Sequence, residues 1–143
     1  MFIVHGHEEA PKEAVARLIE KLGLEAIILH EQTNRGMTVA EKLDVHGDVG
    51  FAVVIMTPDD LGRAKDAVVE NERARQNVIL ELGYFLARLG RDRVCALMKS
   101  DVEIPSDFHG VVYTPLDVHG AWRVGLAREL KAAGYSIDLN LDM

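Results

Sequence analysis

One cysteine, Cys95, is all the thiol chemistry this chain has. No intrachain disulfide can form, and a lone cysteine inside the apolar run "RVCALM" fits a reducing cytoplasm and a packing role. An excess of positive charge is also missing: 16 Lys and Arg stand against 23 Asp and Glu, a formal net charge of −7. With no basic run to neutralise phosphates, non-specific nucleic-acid binding is not expected, although local positive pockets are compatible with this balance. Nor is there a long hydrophobic run. The N-terminus passes from "MFIV" straight into "HGHEE", too short for a signal peptide or a membrane span, so no membrane partner is expected. Internal repeats, low-complexity tracts and Pro/Gly/Ser linkers are absent from the sequence too. What remains is a single domain of 143 residues, 48% apolar and 27% charged, large enough to bury one core. Its abrupt start is consistent with a domain excised from a longer chain.

Apolar runs alternate with helical patterns. "FIVH" (2–5) predicts a first strand, and "APKEAVARLIEKLG" a helix with Val15, Leu18, Ile19 and Leu22 on one face. Pro11 is tolerated in its first turn, and Gly23 closes it. "EAIILH" (25–30) predicts a second strand. "EQTNRG" follows as a loop and "TVAEKLDVH" as a short helix, which Thr38 and Glu41 open with a capping-box spacing. "GFAVVIM" (50–56) has the continuous apolar character of a parallel strand buried on both faces. The polar stretch "TPDDLGRAKDAVVENE" predicts a loop with one helical turn at most. A helix over about 74–89, a strand "RVCALM" (93–98), a short strand "VVYT" (111–114) and a last helix "AWRVGLARELKAAG" complete the chain. Five strands alternating with helices predict an α/β fold of three layers. Its parallel sheet should be five-stranded, in the flavodoxin-like order 2-1-3-4-5. Such sheets bind ligands beyond the carboxyl ends of their strands, near the switch between strands 1 and 3. "HGH", "EQTNRG" and "TPDD" should meet at that edge.

The helix "RARQNVILELGYF" (73–85) poses the sharpest question. At roughly 100° per residue Ala74, Val78, Leu82, Phe85 and Leu89 share the core face, while Glu81 interrupts the apolar run beside them. Asn77, Glu81 and Arg88 then form a polar seam along one flank. An isolated carboxylate sunk in the core would lose its charge, so Glu81 is expected at the rim of a cleft, partly exposed and ionised. Periodicity alone favours an ordinary flank acid paired with Arg88 or Lys65, because such acids are commonplace.

"FIVHGH", "LGLEAIILHEQTNRGMTVAEKL", "GFAVVIMTPDDLG", "RARQNVILELGYFLARLGRDRVCAL" and "IPSDFHGVVY" together resemble bacterial TIR-like domains. The nearest in kind are effectors of cyclic-nucleotide-triggered antiphage defence, of the CBASS and Pycsar type, including TIR domains fused to STING. The blocks run in order through nearly the whole chain. The resemblance implies a flavodoxin-like fold and, in many members, hydrolysis of NAD⁺ to nicotinamide and an ADP-ribose product. It places the essential glutamate of those enzymes on Glu81, and Glu72 falls outside the matching block. It also implies a cyclic-nucleotide sensor domain as partner, in cis or in trans, and self-association into an oligomer or filament.

The residues expected to contact NAD⁺ are His5, Gly6, His7, Arg35 and Asn77. Gly6 lets the backbone approach a phosphate or ribose closely. His5 and His7 without a third ligand are weak evidence for a metal, and none is expected. NAD⁺ is the substrate, and no cofactor is called for. Arg35 and Gly36 lie in a loop that gates the site or contacts a neighbouring copy in TIR-like domains, or that is simply a solvated turn. Asp59 and Asp60 fit a turn better than a phosphorelay site, because the first strand ends in His5 and the third in Met56, Thr57 and Pro58. A smaller expectation is that they line the cleft. Arg73 and Arg75 oppose the helix macrodipole and invite a partner: Glu70 or Glu72 by default, a ligand phosphate or a neighbouring protomer otherwise. Trp122, Tyr84 and Phe108 are expected to pack rather than stack on adenine. Two functions follow: an NAD⁺ glycohydrolase switched on by clustering, or a non-enzymatic self-association module in which Glu81 is only structural. A third, a nucleotide-binding sensor, fits less well because the effector blocks fill the chain.

Overall fold

A computed structural model describes residues 1–29, 36, 38–46, 50–108, 110–141 and 143. The strands of the main sheet are β1 (Phe2–Val4), β2 (Ile27–Ile28), β3 (Ala52–Met56), β6 (Val94–Met98) and β7 (Tyr113–Pro115). They lie in the order β2-β1-β3-β6-β7, all parallel, which is the expected 2-1-3-4-5 succession of sheet strands. Helices α1 (Glu9–Lys21), α2 (Val39–His46), α3 (Gln76–Leu89) and α4 (Trp122–Ala132) complete the three layers.

Alternation along the strands divides the core. Ile3, Val53, Ile55, Cys95 and Leu97 project to one side, onto Val15 and Ile19 of α1 and Leu126 and Leu130 of α4. Phe2, Val4, Ala52, Val54 and Met56 project to the other, onto Val78, Leu82 and Phe85 of α3. Every residue of β3 is buried, as its unbroken apolar run requires of a central strand. Burial pushes the Cys95 thiol up to about 12, so this cysteine is packing and not a nucleophile.

Local signals terminate the elements as read. Gly23 takes φ +81° after α1, a left-handed conformation that suits glycine. The Glu41 amide donates to the Thr38 hydroxyl at 3.2 Å, which opens α2. One element differs from expectation. Residues 57–73 hold a hairpin instead of a loop with a helical turn: β4 (Asp60–Gly62) pairs antiparallel with β5 (Asn71–Arg73). The reason lies in Arg63, whose Nη1 donates to the carbonyls of Ala64, Lys65 and Ala67 at 3.3, 3.0 and 2.8 Å. One guanidinium thereby satisfies a polar loop whose sequence shows neither strand nor helix periodicity. Among the described residues no helix is long and apolar enough to cross a membrane.

Phe85 is fully buried, with its ring centroid 4.9 Å from that of Phe2. Phe85→Ala is expected to lower unfolding free energy by about 3–5 kcal/mol, read from urea denaturation.

Candidate functional site

The carboxyl ends of β1 and β3 meet as the topology requires. His5 is buried, and its Nδ1–H donates to the Gly6 carbonyl at 2.7 Å. Gly6 sits against the Asp59 carboxylate so closely that a Cβ there would collide with it. Glycine at position 6 is therefore needed for close packing between two loops, in addition to any approach to a ligand. The Thr57 hydroxyl donates to Asp59 Oδ1 at 2.9 Å and fixes that carboxylate, leaving Oδ2 buried with no hydrogen bond among the described residues. His7 is exposed. Lys99, just past β6, pairs with Glu8 at 2.8 Å and ties the first loop to the fourth sheet strand.

Beside this edge opens a cleft of about 780 Å³ lined by Asp59, Asp60, Leu61, Arg73, Gln76, Ile79 and Glu103, among others. Its acids include Asp59 and Asp60, so the pair lines a cleft as well as shaping a turn. Arg73 is held by Glu103 through two hydrogen bonds, 3.1 and 3.2 Å, and not by Glu70 or Glu72. Glu103 comes from the loop after β6, thirty residues away in sequence, and no local signal in the chain announces that pairing.

Glu81 is elsewhere. Ile79 faces the cleft, and two residues further on the helix has turned roughly 200°. Glu81 thus lies on the opposite flank of α3, the flank that carries Asn77, Tyr84 and Arg88. Arg88 Nη1 donates to the Tyr84 hydroxyl at 2.8 Å and to Asp44 Oδ1 at 3.4 Å, and the Tyr84 hydroxyl donates to the same oxygen at 3.2 Å. This cluster joins α3 to α2, so Glu81's flank looks toward α2.

The expectation of a rim position for Glu81 is corrected by its burial: the residue is 0% exposed. It stands about 60° from Val78 around the helix, within the width of a core stripe rather than beyond it. Removal from water pushes its carboxyl up from the ordinary 4.5 to about 7, with the Arg75 guanidinium pulling the other way. Arg88, engaged with Tyr84 and Asp44, is not shown pairing with it, and Lys65 lies on the exposed hairpin loop. Asn77 is half-buried one turn before Glu81.

Arg35, and with it most of "EQTNRG", lies outside the described residues. The aromatics pack as read: Tyr84 sits edge-on to Phe85, Trp122 is buried with Arg123 over its ring, and Phe108 lies against Gly83. Among the described residues no group of three or more His, Cys, Asp or Glu converges as a metal ligand set.

Comparison with known proteins follows this geometry. The family model for the TIR domain of CAP12/Pycsar effector proteins matches residues 1–118. The uncharacterized protein YuaY of Escherichia coli K12 is 51% identical over 139 residues, 96% of this chain and 46% of that protein. Protein tirC of Dictyostelium discoideum is 35% identical over 79% of this chain and 62% of its own length. Pycsar effector protein XpPycTIR of Xanthomonas perforans is 40% identical over 70 residues, 48% of this chain and 22% of that protein. The chain thus spans about half the length of YuaY and less than two thirds of tirC.

Because the folded Glu81 carboxyl holds its proton up to about pH 7 and the unfolded one only to about 4.5, the native state binds more protons between those values. Stability should therefore fall as pH rises from about 4.5 to 7 and level off above, a loss on the order of 3 kcal/mol. Glu81→Gln removes this dependence. Its midpoint in thermal or urea unfolding should match the parent near pH 4.5 and exceed it at pH 8.

Proposed function

The chain belongs to the TIR-domain family of CAP12/Pycsar effector proteins, and on that premise we propose that it hydrolyses NAD⁺ to nicotinamide and ADP-ribose with Glu81 as the catalytic carboxylate. The single observation that carries this reading is a carboxylate kept fully buried on α3, inside the block that resembles the family's active helix. Glutamine or leucine at that position would pack without the penalty of desolvating an acid, so retention of the charge points to chemistry.

The reaction breaks the bond between ribose C1′ and nicotinamide N1. The bonding pair leaves with N1, which was cationic, so nicotinamide departs neutral and needs no general acid. Positive charge builds on the sugar as in glycoside hydrolysis. A carboxylate aimed at the ribose stabilises that charge, and more strongly in a water-poor site than in solvent. Water then adds at C1′ and loses a proton, giving ADP-ribose, nicotinamide and one proton. Asn77, one turn before Glu81, would bond a ribose hydroxyl in this reading. Gly6 and the neighbouring His5 and His7 belong to the strand-end turn where the dinucleotide's phosphates would lie, with Arg35 a further phosphate contact. The cationic nicotinamide, on arrival, favours the ionised form of a carboxyl that sits near 7 in its absence.

Full burial also means that substrate reaches Glu81 only when its cover moves. Clustering by a cyclic-nucleotide sensor, in the same or another chain, supplies that movement in this reading, and the role is antiphage defence in the cytoplasm. The chain acts there as one domain of a larger assembly. The same burial favours a second reading, a self-association module that turns over no NAD⁺.

Purified protein forced to cluster should release nicotinamide from NAD⁺, and Glu81→Gln should lower the rate at least a thousandfold, an effect of about 4 kcal/mol. Turnover should rise with pH through an acidic limb and level off, because the ionised carboxyl is the active form. Assembled protein with no turnover would establish the module instead; undiminished turnover in Glu81→Gln would remove Glu81 from its role.

A further inference from the structure

The loop of the β4–β5 hairpin presents apolar side chains to solvent. Val68 is 94% and Val69 72% exposed, and neither belongs to the apolar clusters on the two faces of the sheet. Single exposed valines are ordinary, but these two are adjacent and sit on a braced loop. Arg63 bonds the carbonyls of Ala64, Lys65 and Ala67, so the loop is ordered before any contact forms. Residues 66–72 around the pair carry three acids, Asp66, Glu70 and Glu72, and no base. All three acids are exposed.

A groove of about 410 Å³ runs between α1 and α4. Its lining is apolar at Ala10, Ala14 and Leu18 and basic at Arg17, Lys21 and Arg123, with Glu13 the one acidic side chain. The hairpin flanks α3, whose Gln76 and Ile79 share a cleft with Leu61 and Arg73. α3 covers one face of the sheet, and α1 and α4 cover the other. Tip and groove therefore belong to different layers of one copy and meet only between copies.

We propose that the Val68–Val69 tip of one copy docks in the α1–α4 groove of the next, its acids against the groove's cations. The inference rests on the reading that the chain acts by self-association and names the surface through which it does so. Because the two surfaces differ, the contact is heterologous and copies join head to tail. A tip-to-tip contact would set three acids against three, which charge repulsion disfavours. One hairpin tip covers only part of the roughly 1,200–2,000 Å² that a stable interface buries. Free copies therefore stay apart, and the contact forms when a sensor holds them at local concentrations on the order of millimolar.

Sedimentation of this chain over a concentration series reaching the millimolar range tests the contact without any turnover. Parent protein should form dimers and then longer chains as concentration rises. Val68→Asp replaces an apolar anchor by an acid, and the double variant Ala10→Glu/Arg17→Glu places acids in the groove. Each should weaken association by about tenfold or more. All three positions are exposed, so the fold should be kept, with the urea midpoint as the check. The mixture is the sharper sample. Val68→Asp keeps its groove and the double variant keeps its tip, so an equimolar mixture should form a dimer and stop there. Unchanged association of either variant alone would overturn the proposal. So would a parent that stays monomeric throughout, or a mixture that stays monomeric while the parent assembles. Nicotinamide release is measured separately, on protein clustered by a fused scaffold. A dimer in the mixture without turnover removes the enzyme and leaves the contact; turnover with no such dimer removes the contact and leaves the enzyme.

Discussion

A carboxylate sealed against the sheet is the constraint on which the rest of this structure turns. Glu81 lies on α3 among Val78, Leu82 and Phe85, the same residues that cover Phe2, Val4 and Val54. Packing and the proposed chemistry therefore share one surface. The helix cannot bury its apolar stripe without drawing the acid in, and the acid cannot be drawn in without shifting toward its neutral form. In the proposed reaction, an acid held this way stays out of water until something moves, which suits an activity that must stay silent until a signal arrives.

Topology then separates two regions that a reading of motifs would merge. The ends of β1 and β3 bring Gly6 against Asp59, and the large cleft opens from there along the hairpin and the Ile79 side of α3. Glu81 is on the other side, toward α2. The cleft of about 780 Å³ is thus not where Glu81 sits. It is an acidic and apolar cleft whose one lining arginine is already engaged by Glu103.

Much of the fold was legible because its signals are local. A continuous apolar β3, the 3.6-residue spacing of α1 and α3, the Thr38–Glu41 spacing and Gly23 each report on a few neighbours, and each behaves in the structure as its chemistry demands. Asp59 and Asp60 were legible as turn-formers and, more faintly, as cleft residues. The hairpin was not legible, since it depends on Arg63 bonding three carbonyls of its own loop, a satisfaction that no periodicity encodes. The Arg73–Glu103 pair was hidden for a different reason: it joins segments thirty residues apart.

From sequence alone came the α/β class, the order of the parallel sheet and the family, because composition, periodicity and ordered blocks are properties of the chain itself. Tertiary structure alone decided how deep Glu81 lies. Depth depends on how closely α2, α3 and the sheet approach one another, and a difference of one side-chain width separates a rim from a core. It decided as well which acids hold the arginines, since Arg73 and Arg88 are claimed by Glu103 and Asp44, partners far away in sequence.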